Sequence, residues 1–323
     1  MSETTATVAE PATSPADVAA DACELTSHVR LARVIMLINP LSGSVGPRAA
    51  EEALEILSRY ACETTIVSLD RASFEAQVQA AFDEKPDAVF VLAGDGTAGT
   101  IASRAGPDGP LIAPLPGGTM NMLPRALYGS SDWKTALKVS LEEGTSHDIA
   151  GGEVADADVR RAFFCAAVFG APALWAPARE AIRLRRLRLA WLYARRALKR
   201  AFTGRLRYAL DNQPERRAEA LVLIGPMISK AVDEDAGLEA AAMNPNDAGE
   251  AFRLAAHAVF DDWRLDPAVT TRPARRVRLR ARSRIPSVID GEPLLLHHEA
   301  SVRFLPKAFR ALAPVPAAAE DSV

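Results

Sequence analysis

The chain has 323 residues, 49% hydrophobic and 24% charged, with a formal net charge of -3, enough for two ordinary domains that bury their own cores. That balance excludes a protein that coats nucleic acid over its whole surface. Three scattered cysteines, Cys23, Cys62 and Cys165, with no C-x-x-C pair, exclude a disulfide framework and a zinc ribbon and fit a reducing cytoplasm.

Residues 1–30 are rich in Ala, Thr, Pro and acids and lack both a basic start and a long apolar run. They read as a disordered tail and not as a signal peptide. No stretch approaches the roughly 18 apolar residues of a spanning helix, so any membrane contact is expected to be peripheral. From Arg33 the pattern alternates. Strands are expected at 34–38, 63–68, 88–92 and 111–114, and helices at 47–60, 73–84, 97–105, 120–127 and 132–143. Such alternation specifies an α/β fold with a parallel sheet, here an N-terminal nucleotide-binding domain over 31–145.

After Gly144 the character changes to short apolar runs broken by turns, at 148–154, 162–169, 206–210, 220–224, 237–242, 251–259, 276–282, 287–289, 294–296 and 301–304. These predict a C-terminal antiparallel β-sandwich over 146–314. One helix, at about 179–202, interrupts it, and 315–323 reads as a second disordered tail.

Three turns follow the strand-like runs of the first domain: Asn39-Pro-Leu-Ser-Gly43, Gly94-Asp-Gly-Thr97 and Pro116-Gly-Gly-Thr-Met-Asn121. Gly, Ser and Thr at the end of a strand let backbone N–H groups approach an anion, and the next helix adds its positive end. In an open parallel sheet ligands bind at the carboxyl ends of the strands, where all three turns fall.

Each has a plainer reading. The segment from Gly94 to Gly99 formally matches the dinucleotide fingerprint G-x-G-x-x-G, but no acid occurs between Gly109 and Ser131 to hold a ribose, and Asp95 would face a pyrophosphate. Alone it reads equally as an ordinary βα turn. The Gly117 and Gly118 pair also serves any tight turn. A Walker A loop is absent. Downstream, Asp290-Gly-Glu292 lies between two short strands, where D-G is a hairpin signal. Phosphoryl transfer to an alcohol needs a carboxylate to accept the hydroxyl proton and a metal to neutralise the phosphate. Asp290 and Glu292 can supply the first.

The order of these motifs, with Asp235-Ala-Gly-Leu-Glu239 and Phe304-Leu-Pro-Lys-Ala308, resembles the diacylglycerol kinase and sphingosine kinase family of lipid kinases, bacterial single-chain members above all. The resemblance spans about 33–314 and implies two lobes with ATP between the α/β domain and a lipid-binding sandwich. By that likeness Asn39 and Ser42 lie by the nucleotide, and Ala93, Gly94, Asp95, Gly96, Thr97, Ala98 and Gly99 wrap its phosphates. Gly118, Thr119 and Asn121 complete the pocket, and Ser68 is a weaker candidate for the nucleoside end. Asp290 and Glu292 are expected as base and partner, with Asp95 a third candidate better placed to hold Mg²⁺. Asp235, with the carbonyls of Val232 and Gly237, resembles a structural Mg²⁺ site, against the simpler reading of a solvated acidic turn.

The chain departs from the family at Ala93, Gly99, Thr100 and Met122, where relatives carry a glycine or polar groups.

From Arg179 to Arg207 there are ten Arg and one Lys against the single acid Glu180. Leu184, Leu187, Trp191, Leu198 and Phe202 recur at helical spacing, which gives a basic amphipathic helix suited to an anionic membrane surface. A helix packed on the sandwich with a solvated charged face is the alternative. No nucleic-acid motif accompanies the basic run. His297 and His298, adjacent on a strand, are expected to face opposite ways and away from the site.

The resemblance implies a cytoplasmic, peripherally membrane-bound enzyme. It transfers phosphate from ATP, with Mg²⁺, to a lipid hydroxyl, diacylglycerol first and ceramide or sphingosine second. A homodimer is compatible. An impaired nucleotide- or lipid-binding regulator and a soluble NAD-type kinase are the alternatives.

Overall fold

The structure, a computed structural model, describes residues 29–175, 206–229, 231–233, 235–244, 267 and 269–315. The expected tails, the helix at 179–202 and the strand at 251–259 lie outside the described residues.

Elements β1 (Arg33–Ile38), α1 (Ala49–Leu57), β2 (Glu63–Ser68), α2 (Phe74–Asp83), β3 (Ala88–Ala93), α3 (Asp95–Ala105), β4 (Leu111–Pro116), α4 (Met122–Tyr128) and α5 (Trp133–Glu142) alternate as the sequence predicts. Strand β1 pairs in parallel with β2 and β3, and β3 with β4. Every residue of β3 and β4 is buried, which is why both are unbroken apolar runs: helices cover the two faces of a parallel sheet.

The second half contains β5 (Thr145–Ala155), β6 (Arg160–Phe163), β7 (Ala166–Gly170), β8 (Leu206–Leu210), β9 (Arg216–Ala218), β10 (Ala220–Ile224), β11 (Leu238–Met243), β12 (Val269–Ala274), β13 (Arg276–Arg280), β14 (Ile285–Ile289), β15 (Glu292–Leu296) and β16 (Glu299–Ala313). Strands β12, β11, β10, β7, β14 and β15 form an antiparallel sheet in that order. A core that includes Phe163, Phe169, Leu221, Val277, Ile289 and Val302 lies between it and the strands β5, β6, β16, β13 and β8.

Three expectations need correction. The run at 162–169 is two strands, because the backbone between them turns its N–H groups to one carboxylate, described below. Strands β9 and β12 were not foreseen: β9 has only three residues, and β12 carries Pro273, which cannot donate to a ladder. The closing strand is far longer than 301–304. Strand β16 pairs antiparallel with β5 and then runs parallel beside β4, with Ala311 opposite Ile112. Its register shifts between Leu305 and Phe309, where Pro306 interrupts the pattern.

Beyond that irregularity Phe309 is fully buried, its ring edge-on to Phe164 at 4.9 Å between centroids. The parallel sheet therefore continues through β16 into β13, β8 and β9 as one ten-stranded sheet. A boundary drawn at residue 145 leaves β16 out of the first lobe, whose sheet it completes.

Candidate active site

The three glycine-rich turns meet at the carboxyl ends of β1, β3 and β4. The Asn39 N–H donates to the Leu92 carbonyl at 2.9 Å, its Oδ1 accepts the Leu41 N–H at 3.1 Å, and its Nδ2 reaches Thr97 Oγ1 at 3.5 Å. Ser42 Oγ accepts the Gly94 N–H at 3.2 Å, and the Ser44 hydroxyl donates to the Gly118 carbonyl at 2.7 Å. The turns pack so closely that a Cβ on Gly118 would lie 2.7 Å from the Gly94 Cα, and one on Gly117 2.8 Å from the Ala93 nitrogen.

Asn121 adopts φ 51°, the left-handed region that Asn tolerates. Its Oδ1 accepts the Gly118 N–H at 2.7 Å and its Nδ2 donates to the Gly118 carbonyl at 3.0 Å. It is buried and folds the third turn on itself, while Thr119 beside it is exposed. Ser68 stands level with Ile38 at the end of β2, exposed, its carbonyl taken by Gln77 Nε2 at 2.9 Å.

Helix α3 begins at Asp95 with Gly94 as its N-cap and no side-chain cap, so its first N–H groups are open to an anion. The Asp95 carboxylate instead accepts the Leu123 N–H at 3.3 Å, at the start of α4. Burial pushes its pKa up, against the pull of the backbone N–H groups of Leu123, Asn121 and Met122.

From the other lobe, the β14–β15 hairpin turns at Asp290 (φ 45°) and Gly291 (φ 86°). Both angles are positive, as a tight hairpin turn of primed type requires. The Asp290 carboxylate is enclosed by backbone donors. Its Oδ2 accepts the Phe164 N–H at 2.8 Å, and its Oδ1 those of Cys165 at 3.0 Å and Ala166 at 2.9 Å. Burial raises its pKa, the three N–H groups oppose that rise, and the charge of Asp95 adds to it.

Glu292 does not share this pocket. Its Oε2 meets Arg161 Nη2 at 2.5 Å, and its carboxylate rests against Gly96, where any Cβ would collide with it. The hairpin thus brings both acids to the first turn of α3, one partly buried beside Asp95 and one half-exposed over Gly96. Arg161 was missed by sequence reasoning. It lies 131 residues from Glu292, and no local pattern announces it.

The departures from family pattern also have places. Thr100 donates its hydroxyl to the Gly96 carbonyl at 2.8 Å, and Met122 packs on the core around Leu123. A Cβ on Gly99 would sit 3.7 Å from the Phe164 ring, ordinary contact. Gly99→Ala should therefore raise stability by about 0.5–1 kcal/mol, the usual gain for Ala over Gly inside a helix, measured by urea unfolding.

Val232, Asp235 and Gly237 share the loop before β11. Asp235 is exposed and its carbonyl accepts Arg275 Nη2 at 2.5 Å. A guanidinium there disfavours a cation. Among the described residues no three or more His, Cys, Asp or Glu side chains gather to hold a metal. His297 pairs with Asp158 at 2.5 Å, and both His297 and His298 border a depression on the outer face of the sandwich.

Residues 33–154 match a family model described as the diacylglycerol kinase catalytic domain. No curated protein matches the sequence. Among solved structures, a diacylglycerol kinase from Bacillus anthracis str. Sterne aligns over 89% of this chain and 98% of its own, with a TM-score of 0.62 and 14% identity. A candidate diacylglycerol kinase of the same strain aligns over 89% and 99%, with a TM-score of 0.68 and 18% identity. At such identity these likenesses carry the fold, two lobes in the same arrangement.

Proposed function

We propose that the chain is a lipid kinase of the diacylglycerol kinase family, whose catalytic-domain model matches residues 33–154, and that it transfers the γ-phosphate of ATP to the hydroxyl of diacylglycerol. The observation that carries the reading is the meeting of two lobes at one helix end, Asp290 beside Asp95 and Glu292 over Gly96.

Backbone N–H groups at the start of α3 and the glycine-lined turns suit the phosphate chain. Asp95 would hold Mg²⁺, which would lower the charge of the phosphates. Asp290 is the base: three N–H groups leave a lone pair free on Oδ2, and burial raises its affinity for a proton. As the acceptor oxygen bonds to the γ-phosphorus and the bond to the β-phosphate oxygen breaks, the hydroxyl proton passes to Asp290. Glu292 and Arg161 fix the hairpin over the phosphate turn.

Among the described residues no helix is long and apolar enough to cross a membrane. Association with the bilayer is proposed to run through the Arg-rich stretch from Arg179 to Arg207.

Glu292→Gln tests the arrangement. Transfer should slow by about 100-fold while affinity for a non-hydrolysable ATP analogue changes far less, the pattern of a group needed beyond ground-state binding. Unaltered turnover would remove Glu292 from the site.

A further inference from the structure

On strands β16, β13, β8 and β9 the outer face of the ten-stranded sheet, opposite the sandwich core, carries six arginines. Cross-strand register sets Arg280 beside Arg207 and, on its other side, Glu299; Arg207 in turn faces Arg217 on β9. Two rows along, Arg276 stands opposite Arg303. Between these rows Arg278 is flanked by Ala209 and Ser301, and the small neighbours leave a depression of about 620 Å³.

Three of these arginines are compensated: Arg303 by Glu153, Arg280 by Glu299 and Arg207 by Glu215. The guanidinium groups of Arg217, Arg276 and Arg278 form no ion pair among the described residues, although the Asp211 carboxylate accepts the Arg276 backbone N–H at 2.8 Å. The stretch of ten Arg and one Lys from Arg179 ends inside β8, with Leu206 in the core and Arg207 on this face.

We propose that this sheet face is a docking surface for an anionic lipid bilayer. Guanidinium groups suit lipid phosphates because each presents a planar fork of donors and keeps its charge at any working pH. The face spans strands β16, β13, β8 and β9, about 15 Å at ordinary strand spacing, and a flat array can meet many headgroups at once. Its outward residues in these rows are Arg, Ala, Ser and Glu, with no aromatic ring among them for bases to stack on. The inference rests on the lipid-kinase reading only for its purpose, since the substrate stays in a membrane; binding is measured without turnover.

The test is co-sedimentation with phosphatidylcholine vesicles, with and without phosphatidylglycerol. The wild-type chain should bind only the anionic vesicles, and less at high salt. Arg217→Ser, Arg276→Ser and Arg278→Ser together should weaken that binding at least about tenfold, and the three Arg→Lys changes together should largely keep it. The serine variant should phosphorylate diacylglycerol in uncharged detergent micelles at the wild-type rate. Vesicle binding by the serine variant equal to wild type overturns the proposal, as does equal loss of its micellar activity or wild-type binding to duplex DNA but not to vesicles. If neither protein phosphorylates micellar lipid, the kinase reading fails while the vesicle result still decides the docking surface.

Discussion

Asp290→Asn is expected to abolish phosphate transfer and also to cost about 2 kcal/mol of stability, because an amide cannot accept from all three backbone donors around it. Its oxygen can keep the Cys165 and Ala166 N–H groups. Its NH₂ then faces the Phe164 N–H, donor against donor, in a partly buried pocket. Asp290→Ala should lose more, since all three N–H groups are left without the carboxylate. Urea unfolding of both variants checks this order; an Asn variant as stable as the wild type would mean the N–H cage is not holding the β6–β7 junction.

Acid–base linkage supplies a second signature. Burial raises the folded-state pKa of Asp290 above its unfolded value. The folded state therefore binds that proton more tightly, and the contribution is full below the ordinary carboxylate range and is lost as pH rises through the folded pKa. The Asn variant lacks this segment of the stability–pH profile, so the gap between the two proteins should vary across that window. A constant gap would contradict the assignment.

Gly118→Ala and Gly94→Ala should differ sharply although the two glycines touch. A methyl on Gly118 runs into the Gly94 backbone at 2.7 Å, whereas one on Gly94 meets the Gly118 Cα at 3.8 Å and has room. Neither glycine has positive φ, so crowding alone separates them. Gly118→Ala pushes apart the first turn of α3 and the turn after β4; the expected cost is about 2 kcal/mol or more, with ATP-analogue affinity lost by over tenfold. Gly94→Ala should stay within about 1 kcal/mol of wild type. Calorimetric titration with the analogue checks both, and similar behaviour of the pair would overturn the close packing of these turns.

What the sequence made legible was what the chain encodes locally. The alternation from β1 to α5 and the three turns are patterns within a few residues, so they emerged with only end residues shifted. The D-G pair at Asp290 was readable as a hairpin and, in company, as a site. Its binding partners were not, because the Phe164, Cys165 and Ala166 N–H groups lie 126, 125 and 124 residues away, inside an apolar run that reads as one strand. The length of β16 was hidden by Pro306, which broke the apolar rhythm where the strand bends from one lobe to the other. Two carboxylates two apart suggested a shared face; the tight turn sent Asp290 inward and Glu292 to Arg161 instead.

The central claim is that carboxylates of the second lobe and the phosphate turns of the first form one centre for transfer to a lipid alcohol. Incubation with γ-labelled ATP, magnesium and an extracted lipid pool, with ceramide, sphingosine and soluble NAD as added acceptors, tests it most directly when the labelled product is identified by mass. The expected product is phosphatidic acid, formed from diacylglycerol and lost in Asp290→Asn. Label on NAD alone, or on no acceptor at all, would contradict the account.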